Sequence, residues 1–138
     1  MTPREARAEL QEALESVYEG QRDVSVQSPY APIDEDATGL IVGYIVHSAE
    51  QGLLATHGVV TQAAQVRVDC WSRIDNAALA DALAERAIKR LPAAVTSFVF
   101  GFSRYEDPLP APDDTATTPA RKRTTAVFDM EYSLDGGT

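Results

Sequence analysis

Two adjacent stretches constrain this chain more than any others: VRVDCWSR at 66–73 and ALADALAERAIKRL at 78–91. In the first, alternation puts Val66, Val68 and Cys70 on one face and Arg67, Asp69 and Trp71 on the other, the mark of a strand with one buried side. In the second, Leu79, Leu83, Ala87 and Leu91 recur at helical spacing, flanked by Ala80, Ala84 and Ile88. A chain that changes period from two to 3.6 within a few residues has to lay a helix against a sheet to bury both apolar faces. Asp75 or Asn76 can cap the helix. Its charges run from Asp81 and Glu85 to Arg86, Lys89 and Arg90, acidic early and basic late, which suits the helix dipole. Pro92 is expected to end it.

The remaining elements follow from the same signals. Thr2, Pro3 and Glu5 form a Thr-x-x-Glu capping box at the start of a helix. Ala6, Leu10, Ala13, Leu14, Val17 and Tyr18 supply its apolar face, and Gly20 its stop. RDVSVQS (22–28) reads as a short strand. SPYAPIDEDATG (28–39) is a loop, and GLIVGYIVHS (39–48) is a strand apolar enough to be covered on both faces. EQGLLATHG (50–58) is a hairpin connection, with Leu53 and Leu54 available to cover an edge. VVTQAAQVRVDCWSR (59–73) contains the next strand. SFVFGFSRY (97–105) is a strand with Phe98, Phe100 and Phe102 on one face. EDPLPAPDDTATTPA (106–120), with four prolines and four acidic residues, is expected to be an exposed, mobile loop. TTAVFDMEYSL (124–134) closes the set, with Phe128, Met130 and Tyr132 on one face, and DGGT is a frayed end. The order is helix, three strands, helix, two strands. It predicts one α+β domain over residues 1–138, with a mostly antiparallel or mixed sheet of about five strands packed by two helices.

The 12 basic and 21 acidic residues leave a net charge of −9. That sign opposes sequence-independent nucleic-acid binding, which depends on displacing counterions from phosphates, and it opposes anionic membranes. MTPREARAEL is too charged for a secretory signal, and LIVGYIV (40–46) is far shorter than the roughly 20 residues of a membrane helix. A single cysteine excludes an internal disulfide and a cysteine-rich zinc site, and fits a reducing compartment.

The candidate chemistry is sparse. Cys70 as a nucleophile would need a nearby base and a depressed pKa, and free cysteines more often pack as small apolar residues. His47, His57 and Cys70 lack the spacing of zinc motifs. Asp34, Glu35, Asp36 and Gly39 lack the later ligands of a calcium loop and read as solvated. Gly101, Gly136 and Gly137 do not form a phosphate loop, and no Ser-His-Asp signature stands out. The expectation is a protein without catalytic, metal or cofactor residues, and not an enzyme. Arg121, Lys122 and Arg123 lead into the last strand. Such residues more often guard a sheet edge, and the second reading is a partner contact. Trp71, on the face opposite Cys70, is placed to pack on a loop or a neighbouring subunit.

Several motifs together resemble the phage tail terminator family, the tail-completion or minor tail proteins of the tail–head joint. An amphipathic helix leads to a strand, EARAELQEALESVYEG then RDVSV, and a Pro/Tyr loop, SPYAP, precedes the central strands. VRVDCWSR, with its aromatic-Ser end, runs into the helix ALADALAERAIKRL. A variable loop is followed by basic residues and a terminal strand, RKRTTAVFDMEYSL. The 28–39 and 106–120 loops are longer than the simpler family pattern. The resemblance implies a structural protein forming a ring, commonly a hexamer, on the end of the tail tube. Such a ring stops tube growth and offers a surface to the head connector, so its partners would be itself, the tail tube protein and a connector or stopper protein. DNA would pass through it without specific binding. The protein would be assembled in the host cytoplasm and reside in the virion at the head–tail junction. The residues expected at assembly contacts are Trp71, Arg73, Arg121, Lys122 and Arg123. The other expectations are a different head–tail joining protein of the neck, or a small soluble α+β partner-binding domain.

Overall fold

The structure, a computed structural model, describes residues 1–29, 31, 34, 36–53, 60–106 and 121–134. Glu35, residues 54–59 with Leu54 and His57, residues 107–120 and the terminal DGGT lie outside the described residues.

Helix α1 spans Pro3–Val17, followed by strands β1 (Val24–Gln27), β2 (Gly39–Leu53) and β3 (Val60–Arg73). A 3-10 turn at Ile74–Asn76 leads into helix α2 (Ala77–Ala94), then strands β4 (Phe98–Glu106) and β5 (Arg121–Ser133). The strands form a five-stranded mixed sheet in the order β1-β2-β3-β5-β4, in which only the β1–β2 pair is parallel. The fold is α+β, with both helices packed on one face of the sheet.

The capping box forms as the sequence predicts. The Thr2 hydroxyl accepts from the Glu5 backbone N–H, and the Glu5 carboxylate accepts from that of Thr2. The predicted apolar positions of α1, Ala6 through Tyr18, are all buried. At Gly43 the helix approaches the sheet so closely that an added Cβ would lie 2.2 Å from Leu14 Cδ1. At the other end of α1, Arg86 Nε of α2 donates to the Val17 carbonyl at 2.7 Å, satisfying one of the carbonyls a helix end leaves open.

Below the helices, Ile41, Val66, Val68, Cys70, Ala126, Phe128, Met130 and Tyr132 form the floor of the core. Phe100 stacks edge-on against Phe128 with ring centroids 5.7 Å apart, and Phe98 lies 6.0 Å from Tyr132. Among the described residues, no helix is long and apolar enough to cross a membrane.

The structure corrects several expectations. Pro92 does not end α2, because the helix runs on to Ala94. The proline forfeits a single N–H bond, and the buried Leu91 and Val95 on either side of it hold the chain in place. Asn76 occupies the N-cap without a side-chain bond. β4 shifts register between Phe100 and Ser103, so Phe102 leaves the aromatic face and stands 71% exposed. An extra residue in one strand breaks the period-two rule that would have turned it inward. β2 is longer than 39–48, with a register shift between His47 and Gln51. It is covered on both faces only near its start, where Leu40 and Ile41 are buried, whereas Val46 is 46% exposed.

Candidate functional site

The helix-free face of the sheet gathers most of the chain's unusual side chains. Alternation along β3 turns Arg67, Asp69, Trp71 and Arg73 to this side, opposite Val66, Val68 and Cys70. The antiparallel register with β5 then sets Thr125 across from Asp69, Arg123 across from Trp71, and Arg121 across from Arg73. β2 adds Leu40 beside Trp71, Val42 beside Asp69 and Tyr44 beside Arg67.

Contacts follow this register. The Thr125 hydroxyl donates to Asp69 Oδ1 at 2.7 Å, in a buried bond. Burial pushes the Asp69 carboxyl above its ordinary value, while the Thr125 hydroxyl and the guanidiniums of Arg123 and Arg67 pull the other way. Arg123 lies over the Trp71 ring, 5.2 Å from its centroid, within cation–π range. Arg67 Nη2 donates to Glu106 at 2.7 Å and its Nε to the Tyr44 hydroxyl at 3.2 Å. Arg121 is 3% exposed and its Nη2 donates to the Ala37 carbonyl at 2.9 Å, tying the loop before β2 to β5. The Nε atoms of Arg73 and Arg123 are buried without a hydrogen-bond partner. A pocket of about 210 Å³ opens beside Trp71, Arg121, Leu40 and Pro29.

At the opposite end the same face changes character. Val46, Gln65, Val99, Asp129 and Glu131 line a shallow groove of about 720 Å³. Asp129 sits 3.6 Å from Arg104, and Glu131 accepts from Thr61 at 2.9 Å. The face is therefore cationic and aromatic at one end, acidic and apolar at the other.

Of the residues singled out in the sequence, Trp71, Arg73, Arg121 and Arg123 come together. Lys122 does not: strand parity turns it to the helix side, where its Nζ is 3.7 Å from Asp81 of α2. The triplet does not lead into the strand but belongs to it. β5 lies between β3 and β4, but its pairing with β4 begins only at Thr125, so at residues 121–123 the strand has β3 alone as a partner among the described residues. Sequence reasoning missed Thr125, Tyr44 and Glu106, whose role depends on cross-strand register. Arg67 and Asp69 were visible as face-mates of Trp71 but without partners.

Cys70 sits in the core with its thiol pushed up to about 12, chiefly by burial, so it stays protonated at neutral pH and is not a poised nucleophile. Its Sγ lies 3.8 Å from the Tyr18 hydroxyl, which itself donates to the Leu83 carbonyl. His47 shares a hydrogen bond of 2.8 Å with the Tyr132 hydroxyl, and burial lowers its pKa. His47 pairs with Ala64, six residues along β3 from Cys70, a separation of roughly 20 Å at strand spacing. The two cannot share a metal ion. Among the described residues no other group of side chains is arranged to hold one.

The helix-free face can thus offer guanidiniums, an indole and a bounded apolar pocket to a partner, a set suited to binding. No protein-family model matches the chain, and no curated protein matches its sequence.

Proposed function

We propose that this protein is a structural component of a phage tail, a terminator that assembles as a ring on the end of the tail tube, halts its growth and presents a joining surface to the head connector. The observation that carries this reading is the one-sided sheet. Both helices cover one face, and the other gathers Trp71, Arg73 and Arg123 into a surface fit for protein contacts. The resemblance in element order and in the VRVDCWSR-to-helix junction supplies the family. A net charge of −9 suits a channel through which DNA must slide without sticking. In this reading the protein is not an enzyme and uses no cofactor or metal. Its partners are other copies of itself, the tail tube protein and a connector or stopper protein, and it resides in the virion at the head–tail junction.

The test is assembly. Light scattering after gel filtration and negative-stain imaging are expected to show rings, in solution or on tube ends, and added protein is expected to arrest tail-tube polymerisation at a defined length. Tubes that elongate unchanged and carry no density at their ends would sink the proposal. A compact monomer that leaves tubes untouched would favour a small partner-binding domain instead.

A further inference from the structure

Two places in this molecule break local electrostatic rules, with opposite signs. On the helix-free face, Arg73 and Arg121 stand directly opposite each other in the β3–β5 ladder, and Arg123 is one register step away beside Trp71. Like charges directly opposed across a ladder are destabilising. Arg73 and Arg123 belong to none of the ion pairs among the described residues, and each keeps a buried Nε without a partner.

The second place is the outer face of α1. Glu12, Glu15 and Glu19 are all exposed and follow one another at helical spacing. Glu12 and Glu15 lie in the last turns of α1 and Glu19 just past its end; that last turn holds no basic residue of its own, and Arg86 of α2 reaches only the Val17 carbonyl there. Carboxylates there oppose the helix dipole, and Glu12 and Glu15 repel each other at i, i+3. None of the three belongs to an ion pair among the described residues, and Glu15 only accepts from Gln11 on its own helix.

We infer that these two surfaces are the halves of one contact, and that the Trp71–Arg73–Arg123 surface of one copy receives the Glu12–Glu15–Glu19 row of a second copy. A chain cannot make this contact with itself, because α1 packs on the helix-covered face and the arginines point from the other. Neither surface can pair with its own kind, since that would set guanidinium on guanidinium or carboxylate on carboxylate. The two surfaces also lie on opposite sides of the molecule, so one partner cannot meet both at once, and the contact is heterologous: each copy offers one half to each neighbour. The Trp71 ring supplies an apolar centre between the charges, the arrangement that concentrates binding energy in interfaces. With each copy carrying −9, association has to occur where the sign is locally reversed, and the arginine surface is such a place. The inference rests on the ring-forming reading in that such a contact generates rings when its rotation closes.

The experiment uses the whole chain and two sets of neutral variants, Arg73→Gln with Arg123→Gln, and Glu12→Gln with Glu15→Gln and Glu19→Gln. Far-ultraviolet circular dichroism confirms folding, and Arg73→Gln alone serves if the double variant unfolds. Wild type at low salt is expected to form species larger than a dimer by light scattering, and to dissociate as salt screens the contact. Each variant alone is expected to weaken association about tenfold or more. Mixed together they keep one intact half each, and a 1:1 pair that grows no further is the expected product. A wild type that remains monomeric at low salt overturns the inference, as do glutamine variants that associate like wild type, or a mixture that forms no pair. Rings that persist in both variants would end this contact and leave the terminator reading standing. Pairs that form as described on a protein that never arrests tube growth would do the reverse.

Discussion

The two faces of β3 are built from alternate residues of the same eight-letter stretch, yet they obey different physics. On the helix side, Val66, Val68 and Cys70 are wholly buried, and no ion pair is needed to hold them. On the other side, Arg67, Asp69 and Trp71 are joined to β2, β4 and β5 by charge-assisted and aromatic contacts. The difference teaches where stability and recognition are separated in this fold. The covered face is close-packed and specifies the structure. The helix-free face keeps polar groups at some cost, Asp69 and Arg121 buried and two guanidinium Nε atoms unpaired, a cost that packing alone would not select.

Breaking the covered face is expected to have the largest effect. Phe128 is 1% exposed, lies on the interior strand β5 and stacks on Phe100. Phe128→Ala is expected to cost about 3–5 kcal/mol in chemical denaturation. An equivalent truncation on the other face, Arg67→Ala, removes one partner of a half-exposed ion pair with Glu106 and is expected to cost roughly 1 kcal/mol or less. Equal losses at the two positions would erase the contrast.

A second test adds volume instead of removing it. Gly43 lies on the covered face of β2, and an alanine Cβ there would meet Leu14 Cδ1 at 2.2 Å. Leu14 is fully buried, so it has little room to yield. Gly43→Ala is expected to cost about 1–3 kcal/mol, measured by the shift of the urea midpoint. A neutral result would mean that α1 rides loosely on the sheet.

Much of this division is legible in the sequence, and the exceptions have identifiable causes. The capping box, the α1 stripe and the β3 alternation are short-range patterns, and tertiary packing agrees with them. Pro92 misleads because proline disfavours helical geometry in the residue before it without forbidding it, and burial of Leu91 and Val95 outweighs that here. Phe102 misleads because a bulge is set by the partner strand, not by its own neighbours. Lys122 misleads for a different reason: with the last strand begun at 124, the triplet stands before the strand and has no assigned face. Once Arg121 is placed inside β5, parity alone sends Lys122 to the helix side. The opposition of Arg73 to Arg121 and of Trp71 to Arg123 needs a register that no local signal carries.

The smallest expected effect is also the one that dissects the helix-free face most finely. Asp69 is buried between Val42 and Thr125, and burial raises its pKa despite the nearby guanidiniums. A carboxyl whose folded pKa exceeds its unfolded value binds its proton more tightly when folded. Its contribution to stability is therefore fully present below the ordinary value of 3.8 and is lost as pH rises through the raised one. Asp69→Asn keeps an oxygen to accept from Thr125 and abolishes that titration. The variant is expected to equal wild type at acid pH and to be modestly more stable, by about 1 kcal/mol or less, at neutral pH. The opposite ordering, with wild type gaining on the variant as pH rises, would mean that attraction to Arg123 and Arg67 outweighs desolvation. The helix-free face would then be an ionic network in its own right, and charges placed there for a partner would also be holding the sheet together.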